Sequence, residues 1–360
     1  MIDATFHVLG LAHQPVTTLV PSCAYTLKTV NMAKMLRANG NKVVLYHAGS
    51  FKAPAIADDY VQVVDDSTME RLYGLKFYET YNQNWDQGDE AWKQFRRKAA
   101  QAISSRLSPD GIDVVLASFG TAHEACCPPT AAALTIEMGV GYEGVFAARK
   151  VWESYAWQSY MQGQLKGSLS LDRDVVIPNY IDPTAFEFRD GPREPWALYM
   201  GRVIQSKGVL QAKEACRLAG IPLKVAGKGD PQWIKDNLDG VEYLGMVNKK
   251  GRRELLGRAS ALMCMTQYFE PFGGVAVEAA YSGLPVVSSD HGAFPETVIE
   301  GVTGYRVRDI YQAATALKQI DRIKQADCHE WGKRFTLQAV WPRYERYFRH
   351  QISLFKKETQ

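Results

Sequence analysis

The sequence holds no C-x-x-C pair: its six cysteines stand at Cys23, Cys126, Cys127, Cys216, Cys264 and Cys328, which argues against a zinc ribbon or a thioredoxin-type centre. Scattered thiols of this kind suit a reducing compartment, so a cytoplasmic protein is expected. No run of about 18 apolar residues occurs, so no membrane-spanning helix is expected. The opening Met1-Ile2-Asp3-Ala4-Thr5-Phe6 carries an early acid and lacks the basic-then-apolar order of a signal peptide. Excess charge is missing too: 42 basic against 39 acidic residues leave +3, too mild for a dedicated polyanion binder. No G-x-G-x-x-G follows the first apolar run, which weighs against a hydride-transfer enzyme. No short repeat is present, and 29 Gly with 16 Pro are ordinary counts that exclude a collagen-like or low-complexity chain.

What is present suffices for two cores. The 360 residues are 46% hydrophobic and 11% aromatic, and this length predicts about two domains. The first half alternates strand and helix patterns. Strands are predicted over 5–9, 42–46, 61–64, 114–117 and 134–136, with helices over 24–38 and 86–107 and a loop over 11–22. In the second helix Trp92, Phe95, Ala99 and Ile103 recur three or four apart. Four prolines then fall within 178–195, a density that neither a helix nor a central strand tolerates, so 179–195 reads as a linker. Alternation restarts with strands over 196–200, 223–226, 241–244, 261–265 and 285–288. Helices over 209–218, 248–258 and 275–281 separate them. The expected fold is α/β: two Rossmann-like, doubly wound parallel-sheet domains, 1–178 and 196–340, facing across a cleft that holds the active site. The last segment, 341–360, is an aromatic and basic helix expected to cross back onto the N-terminal domain.

Three motifs carry chemistry. In Glu270-Pro271-Phe272-Gly273-Gly274-Val275-Ala276-Val277-Glu278, two glutamates sit eight apart around a glycine pair at a strand-loop-helix junction. Gly273 and Gly274 let the backbone approach a ligand, and the helix that begins there offers free N–H groups to an anion. Glu278 lies one turn in, on the face of Gly274, where a carboxylate can take paired hydrogen bonds from a diol. Glu270 precedes the turn and reaches a hydroxylated ring beside the anion. In Gly201-Arg202-Val203-Ile204-Gln205-Ser206-Lys207-Gly208, Arg202 leaves a strand end and Lys207 sits at the next helix start, two cations suited to a diphosphate. Alone, this segment would pass for an exposed basic turn. Gly227-Lys228-Gly229 and Gly245-Met246-Val247 place further glycines at strand ends lining a cleft.

Together, over roughly 196–307, these motifs resemble the C-terminal domain of the family-four retaining glycosyltransferases of the GT-B fold. Gly283-Leu284-Pro285-Val286 and Gly301-Val302-Thr303-Gly304 complete the ordered series. The resemblance implies a nucleoside-diphosphate sugar as co-substrate, no other cofactor and no metal. No D-x-D stands between Leu107 and Leu134. It further implies that Arg202 and Lys207 hold the diphosphate and that Glu278 binds the ribose. Glu270 and the amides of Phe272, Gly273 and Gly274 would hold the sugar, with Gly227 in the donor site and Val247 near the base. Transfer with retention to a hydroxyl acceptor follows, with cations and helix amides meeting the charge on the leaving phosphate.

The N-terminal half resembles that family less. Its Gly10-Leu11-Ala12-His13-Gln14 loop and Cys23-Ala24-Tyr25-Thr26 resemble a subgroup common in phage and environmental sequences, and make His13 a candidate donor contact. His123, after the strand at 114–117, is the candidate sugar contact among the catalytic group. Trp152, Tyr155 and Trp157 are placed on one helix, as core or as an acceptor platform. The acceptor is a saccharide, a lipid-linked saccharide or a hydroxymethylated DNA base, the last through Arg96-Arg97-Lys98 and 249–253. In the final helix Arg343, Arg346, Arg349, Lys356 and Lys357 oppose Glu345 and Glu358, which admits peripheral membrane contact beside the packing reading. No motif sets the oligomeric state. The alternatives are a sugar-nucleotide epimerase or phosphorylase on the same architecture, and a non-catalytic nucleotide-sugar-binding protein.

Overall fold

The computed structural model describes residues 1–16, 23–50, 55–78, 82, 85–165 and 170–359, so the loop expected over 11–22 lies partly outside the described residues. The chain divides into two compact units: Met1–Glu153 with Met161–Ile177 and Val340–Gln360, and Ser154–Tyr160 with Pro178–Ala339.

The first unit carries β1 (Thr5–Leu9), α1 (Ala24–Ala38), β2 (Lys42–Ala48), β3 (Asp59–Val64), α2 (Asp66–Tyr73), α3 (Glu90–Ser104), β4 (Asp113–Ala117), β5 (Leu134–Val140) and β6 (Lys150–Trp152). Next come α4 (Tyr155–Leu165), whose Tyr155–Tyr160 portion belongs to the second unit, and β7 (Asp174–Val176). The sheet order is β3-β2-β1-β4-β5-β6-β7, all parallel. α3 shows why the pattern folds as it does. Asp89 caps it, accepting from the Trp92 amide at 2.8 Å, and Ala91, Trp92, Phe95, Ala99 and Ile103 form the buried stripe. β5 outruns its expected 134–136 because Glu137, an acid that interrupts the apolar pattern, is buried within the strand.

The second unit carries β8 (Ala197–Met200), α5 (Val209–Ala219), β9 (Leu223–Ala226), α6 (Pro231–Asn237), β10 (Glu242–Gly245), α7 (Lys249–Arg258) and β11 (Ala261–Cys264). It continues through α8 (Gly274–Tyr281), β12 (Val286–Ser289), α9 (Phe294–Thr297), β13 (Gly304–Val307), α10 (Ile310–Lys318) and α11 (Gln325–Lys333) into α12 (Leu337–Glu358). The order is β10-β9-β8-β11-β12-β13, again all parallel. Along β8, Ala197 and Tyr199 enter one apolar cluster while Leu198 and Met200 enter another, so helices cover both faces.

Two boundaries differ from those read in the sequence. Residues 154–160 belong to the second unit, and the proline-rich stretch is pinned rather than free. The Ile181 amide donates to Phe335 O at 2.8 Å, and Ile181 O accepts from Leu337 at 3.1 Å. The end of the chain, Val340–Gln360, belongs to the first unit: Phe348 meets Phe6 with ring centroids 5.1 Å apart, and Arg149 pairs with Glu358 at 2.5 Å. Trp341, Tyr344, Tyr347, Phe348 and Phe355 are buried, so the rings that a membrane-contact reading would place at a surface are core groups. Among the described residues no helix is long and apolar enough to cross a membrane.

Candidate active site

In the second sheet the order of strand addition reverses between β8 and β11, the point at which such sheets bind ligands beyond their carboxyl ends. The loop leaving β8 is tied to its neighbours. Tyr199 donates its hydroxyl to Arg202 O at 2.7 Å, and the Val203 amide donates to Lys228 O at 2.8 Å. Gly227 donates to Gly245 O at 2.8 Å, and a Cβ there would stand 1.7 Å from the Gly201 carbonyl oxygen, so no side chain fits. Arg202 is exposed, and its guanidinium has no ion pair among the described residues.

Lys207 ends a 3₁₀ turn, Gln205–Lys207, rather than opening the next helix. The bond from the Gln267 amide to Ser206 O, 2.9 Å, lays this turn against the segment after β11. Lys207 Nζ thereby sits 2.7 Å from Glu270 Oε2 and 4.7 Å from the Tyr268 ring centroid. Thr266 donates to the same carboxylate at 3.4 Å. Burial pulls the Lys207 ammonium down, but Glu270 and Tyr268 outweigh it and hold its pKa above the ordinary value.

Gly273, at φ 78°, opens α8, and a Cβ on it would press to 2.8 Å from the Phe294 ring. The first amides of α8 lack intrahelical partners and face whatever lies before the helix. Phe272 offers only its backbone, because its ring is buried against Phe335. Glu278, inside α8, is 8% exposed and ion-paired with Arg252 of α7. Val247, half-buried, precedes α7 and packs on the cluster of Leu198 and Leu256. Both glutamates of the motif are thus nearly buried, and each has a cation of its own.

A further segment braces this loop. Ser154 donates its hydroxyl to Pro271 O at 2.6 Å. The Glu296 carboxylate accepts from the Tyr155 and Ala156 amides at 3.0 and 2.7 Å, capping α4. Trp157 and Tyr160 stack at 5.0 Å, and Tyr160 stacks on Phe269 at 4.9 Å.

The first-unit candidates are placed differently from expectation. His123 is fully buried, with Nε2 2.9 Å from Gly10 O and Nδ1 accepting from the Ser118 amide at 3.3 Å. Burial pushes its pKa down to about 3. A neutral ring with both nitrogens committed ties the β1 loop to the β4 loop. His13 is 2% exposed, stacked on Trp85 at 4.6 Å, and burial likewise pushes it down to about 3. Trp152 belongs to β6, not to the helix of Tyr155 and Trp157. The basic runs are largely spent within the protein. Lys98 lies 3.6 Å from Asp65, Arg96 donates to Gln87 O, and Arg253 donates to Thr184 O.

Sequence reasoning missed Arg252, Ser154, Glu296 and Tyr268. In sequence Arg252 reads only as part of the basic run 249–253, although it stands one turn beyond Asn248, the cap of α7, where a side chain can turn toward α8. Ser154 and Glu296 carry no local signal, because their partners lie 117 and about 140 residues away in the chain. Among the described residues no three of His, Cys, Asp and Glu stand together as a metal-ligand set.

Two parallel Rossmann-like sheets of seven and six strands define the α/β GT-B fold, and the comparisons agree on that architecture. AviGT4, a glycosyltransferase involved in avilamycin A biosynthesis, superposes with TM-score 0.67 at 20% identity, covering 98% of each chain. Alr3699/HepE of Anabaena, in complex with UDP and glucose, gives 0.64 at 14% identity over 96% of this chain and 99% of that one. Residues 184–335 match the family model described as glycosyl transferases group 1. A glycogen synthase of Mycobacterium tuberculosis is 37% identical over 165 residues, 41% of this chain and 39% of that protein. An alpha-maltose-1-phosphate synthase of the same species is 31% identical over 150 residues, 38% of each. The chain therefore spans about two fifths of the length of the curated relatives it matches.

Proposed function

We propose that the protein is a glycosyltransferase that moves a sugar, with retention, from a nucleoside-diphosphate sugar to a hydroxyl group. The observation that carries this reading is the Lys207–Glu270 contact at the switch point, with exposed Arg202 and the amide end of α8 in the same unit. Sugar transfer breaks the bond between the anomeric carbon and the diphosphate, and negative charge grows on the departing oxygen. Lys207, Arg202 and the α8 amides are groups of the right sign to meet that charge, without a metal in this reading. Glu270, held by Lys207, is suited to accept hydrogen bonds from the sugar hydroxyls. The departing phosphate takes the acceptor proton as the new glycosidic bond forms on the same face.

The family match of residues 184–335 supports the donor half of the reading. The Cys23-Ala24-Tyr25-Thr26 motif supports the phage-type subgroup as part of the same proposal. The acceptor class is a saccharide, a lipid-linked saccharide or a hydroxymethylated base. Six unpaired cysteines support cytoplasmic residence. The test is calorimetry of the full chain against UDP-, GDP- and ADP-sugars, followed by nucleoside-diphosphate release with a panel of acceptors. Saturable binding of one donor is expected, weakened in Glu278→Ala. Failure of every donor to bind at millimolar concentration refutes the reading.

A further inference from the structure

Resting on the reading that the second unit binds a nucleoside diphosphate, we propose that Arg252 is a positioning residue that fixes Glu278 for a ribose diol. It thereby makes the site discriminate ribo- from 2′-deoxyribonucleotides. Three observations lead there. The Arg252 and Glu278 side chains are only 19% and 10% exposed, so the pair is sheltered from competing water. Among the described residues the contact engages Glu278 Oε2 alone, through one terminal guanidinium nitrogen, leaving Oε1 open to hydroxyl donors. Arg252 Nε is buried and has no hydrogen-bond partner among the described residues, so one donor of this guanidinium stands unspent.

A ribose hydroxyl both donates and accepts. The open carboxylate oxygen and an unspent guanidinium N–H offer the complementary acceptor and donor, and charge-assisted bonds of this kind are strong and directional. An apolar or deoxygenated sugar edge would leave one of the two unpaired in a sheltered place, and such a site rejects the analogue that lacks the hydroxyl. α7 also joins this contact to the base. Val247 immediately precedes the Asn248 cap, and Arg252 follows it by one turn, so one rigid element carries both. A purely structural ion pair would neutralise Glu278 without caring which sugar is bound.

The test measures the affinity of UDP, GDP and ADP and of their 2′-deoxy counterparts for the full chain, wild type, Arg252→Ala and Arg252→Lys. Each variant is first checked for native circular dichroism and thermal unfolding without nucleotide. The wild type is expected to prefer the ribonucleotide by roughly tenfold or more, the size of one sheltered hydrogen bond. Arg252→Ala should bring that ratio to within about twofold of unity, and Arg252→Lys, which keeps the charge but not the planar donors, should fall between. Should Arg252→Ala not fold, Arg252→Lys alone decides: an unchanged ratio overturns the proposal. A wild-type ratio near unity, or a ratio that survives Arg252→Ala, overturns it while leaving nucleotide binding intact. No binding of any ribonucleotide overturns the functional reading on which it rests.

Discussion

Ser154 donates its hydroxyl hydrogen to the carbonyl oxygen of Pro271 at 2.6 Å, joining two positions 117 residues apart. Pro271 directly follows Glu270, so this bond holds the loop whose carboxylate faces Lys207. Glu296 secures the other side of the brace by capping the first amides of α4. Glu296→Ala is expected to cost about 1–2 kcal/mol of stability, the value of a good helix cap. Ser154→Ala, which removes a buried hydroxyl that also accepts from the Trp157 amide at 2.9 Å, should cost a comparable amount and in addition weaken donor binding several-fold. Chemical denaturation and donor calorimetry on both variants separate the two effects.

Arg202 and Lys207 are cations with different surroundings, and their substitutions should differ. Arg202→Ala removes an exposed group without an ion pair, so folding should be unaffected while transfer slows by about 10²–10³. Lys207→Ala also strands Glu270, whose side chain is 12% exposed, and should lower the unfolding midpoint as well as the rate. Glu270→Gln in the Lys207→Ala background should recover stability but not rate. Steady-state kinetics beside thermal unfolding test this pair.

Glu137 and His123 give the first unit opposite responses to pH. Burial raises the Glu137 pKa to about 7, against the pull of the Phe146 and Ala147 amides, each at 2.9 Å. The native state therefore holds a proton that the unfolded chain has released, and stability falls as pH rises from about 4.5 to 7. In His123 burial lowers the pKa from 6.5 to about 3, so the unfolded chain takes up the proton first and stability falls as pH drops through that interval. Glu137→Gln should flatten the loss of stability between pH 5 and 8, read by urea midpoints against the wild type. A variant with the same slope as the wild type would contradict this assignment.

Phe348 of α12 packs against Phe6 of β1, and both are fully buried. Phe348→Ala should destabilise the protein by about 3–5 kcal/mol through the cavity it leaves. If α12 is integral to the first core, urea denaturation should show one shifted transition for that unit. A shift below about 1 kcal/mol would mean that the helix is dispensable.

Much of the architecture was legible before any coordinates. Residues 24–38 carry a helical pattern closed by Asn39-Gly40, and α1 is Ala24–Ala38. The apolar recurrence of Trp92, Phe95, Ala99 and Ile103 became the buried face of α3. Periodicity and caps are local, so the amino-acid order alone settles them. Elements whose pattern is broken or brief escaped: β5 beyond Ile136, because of buried Glu137, and the three-residue strands β6 and β7.

The order of residues by itself determined two parallel α/β sheets and the glycine-flanked pair Glu270 and Glu278, since each depends on spacing within one short segment. Only the tertiary structure decided which cation each glutamate receives, that Ser154 and Glu296 brace the loop, and that His123 is sealed within the first core. Those outcomes depend on which distant segments the topology brings within about 3 Å, where hydrogen bonds and ion pairs act, and no local pattern records that distance.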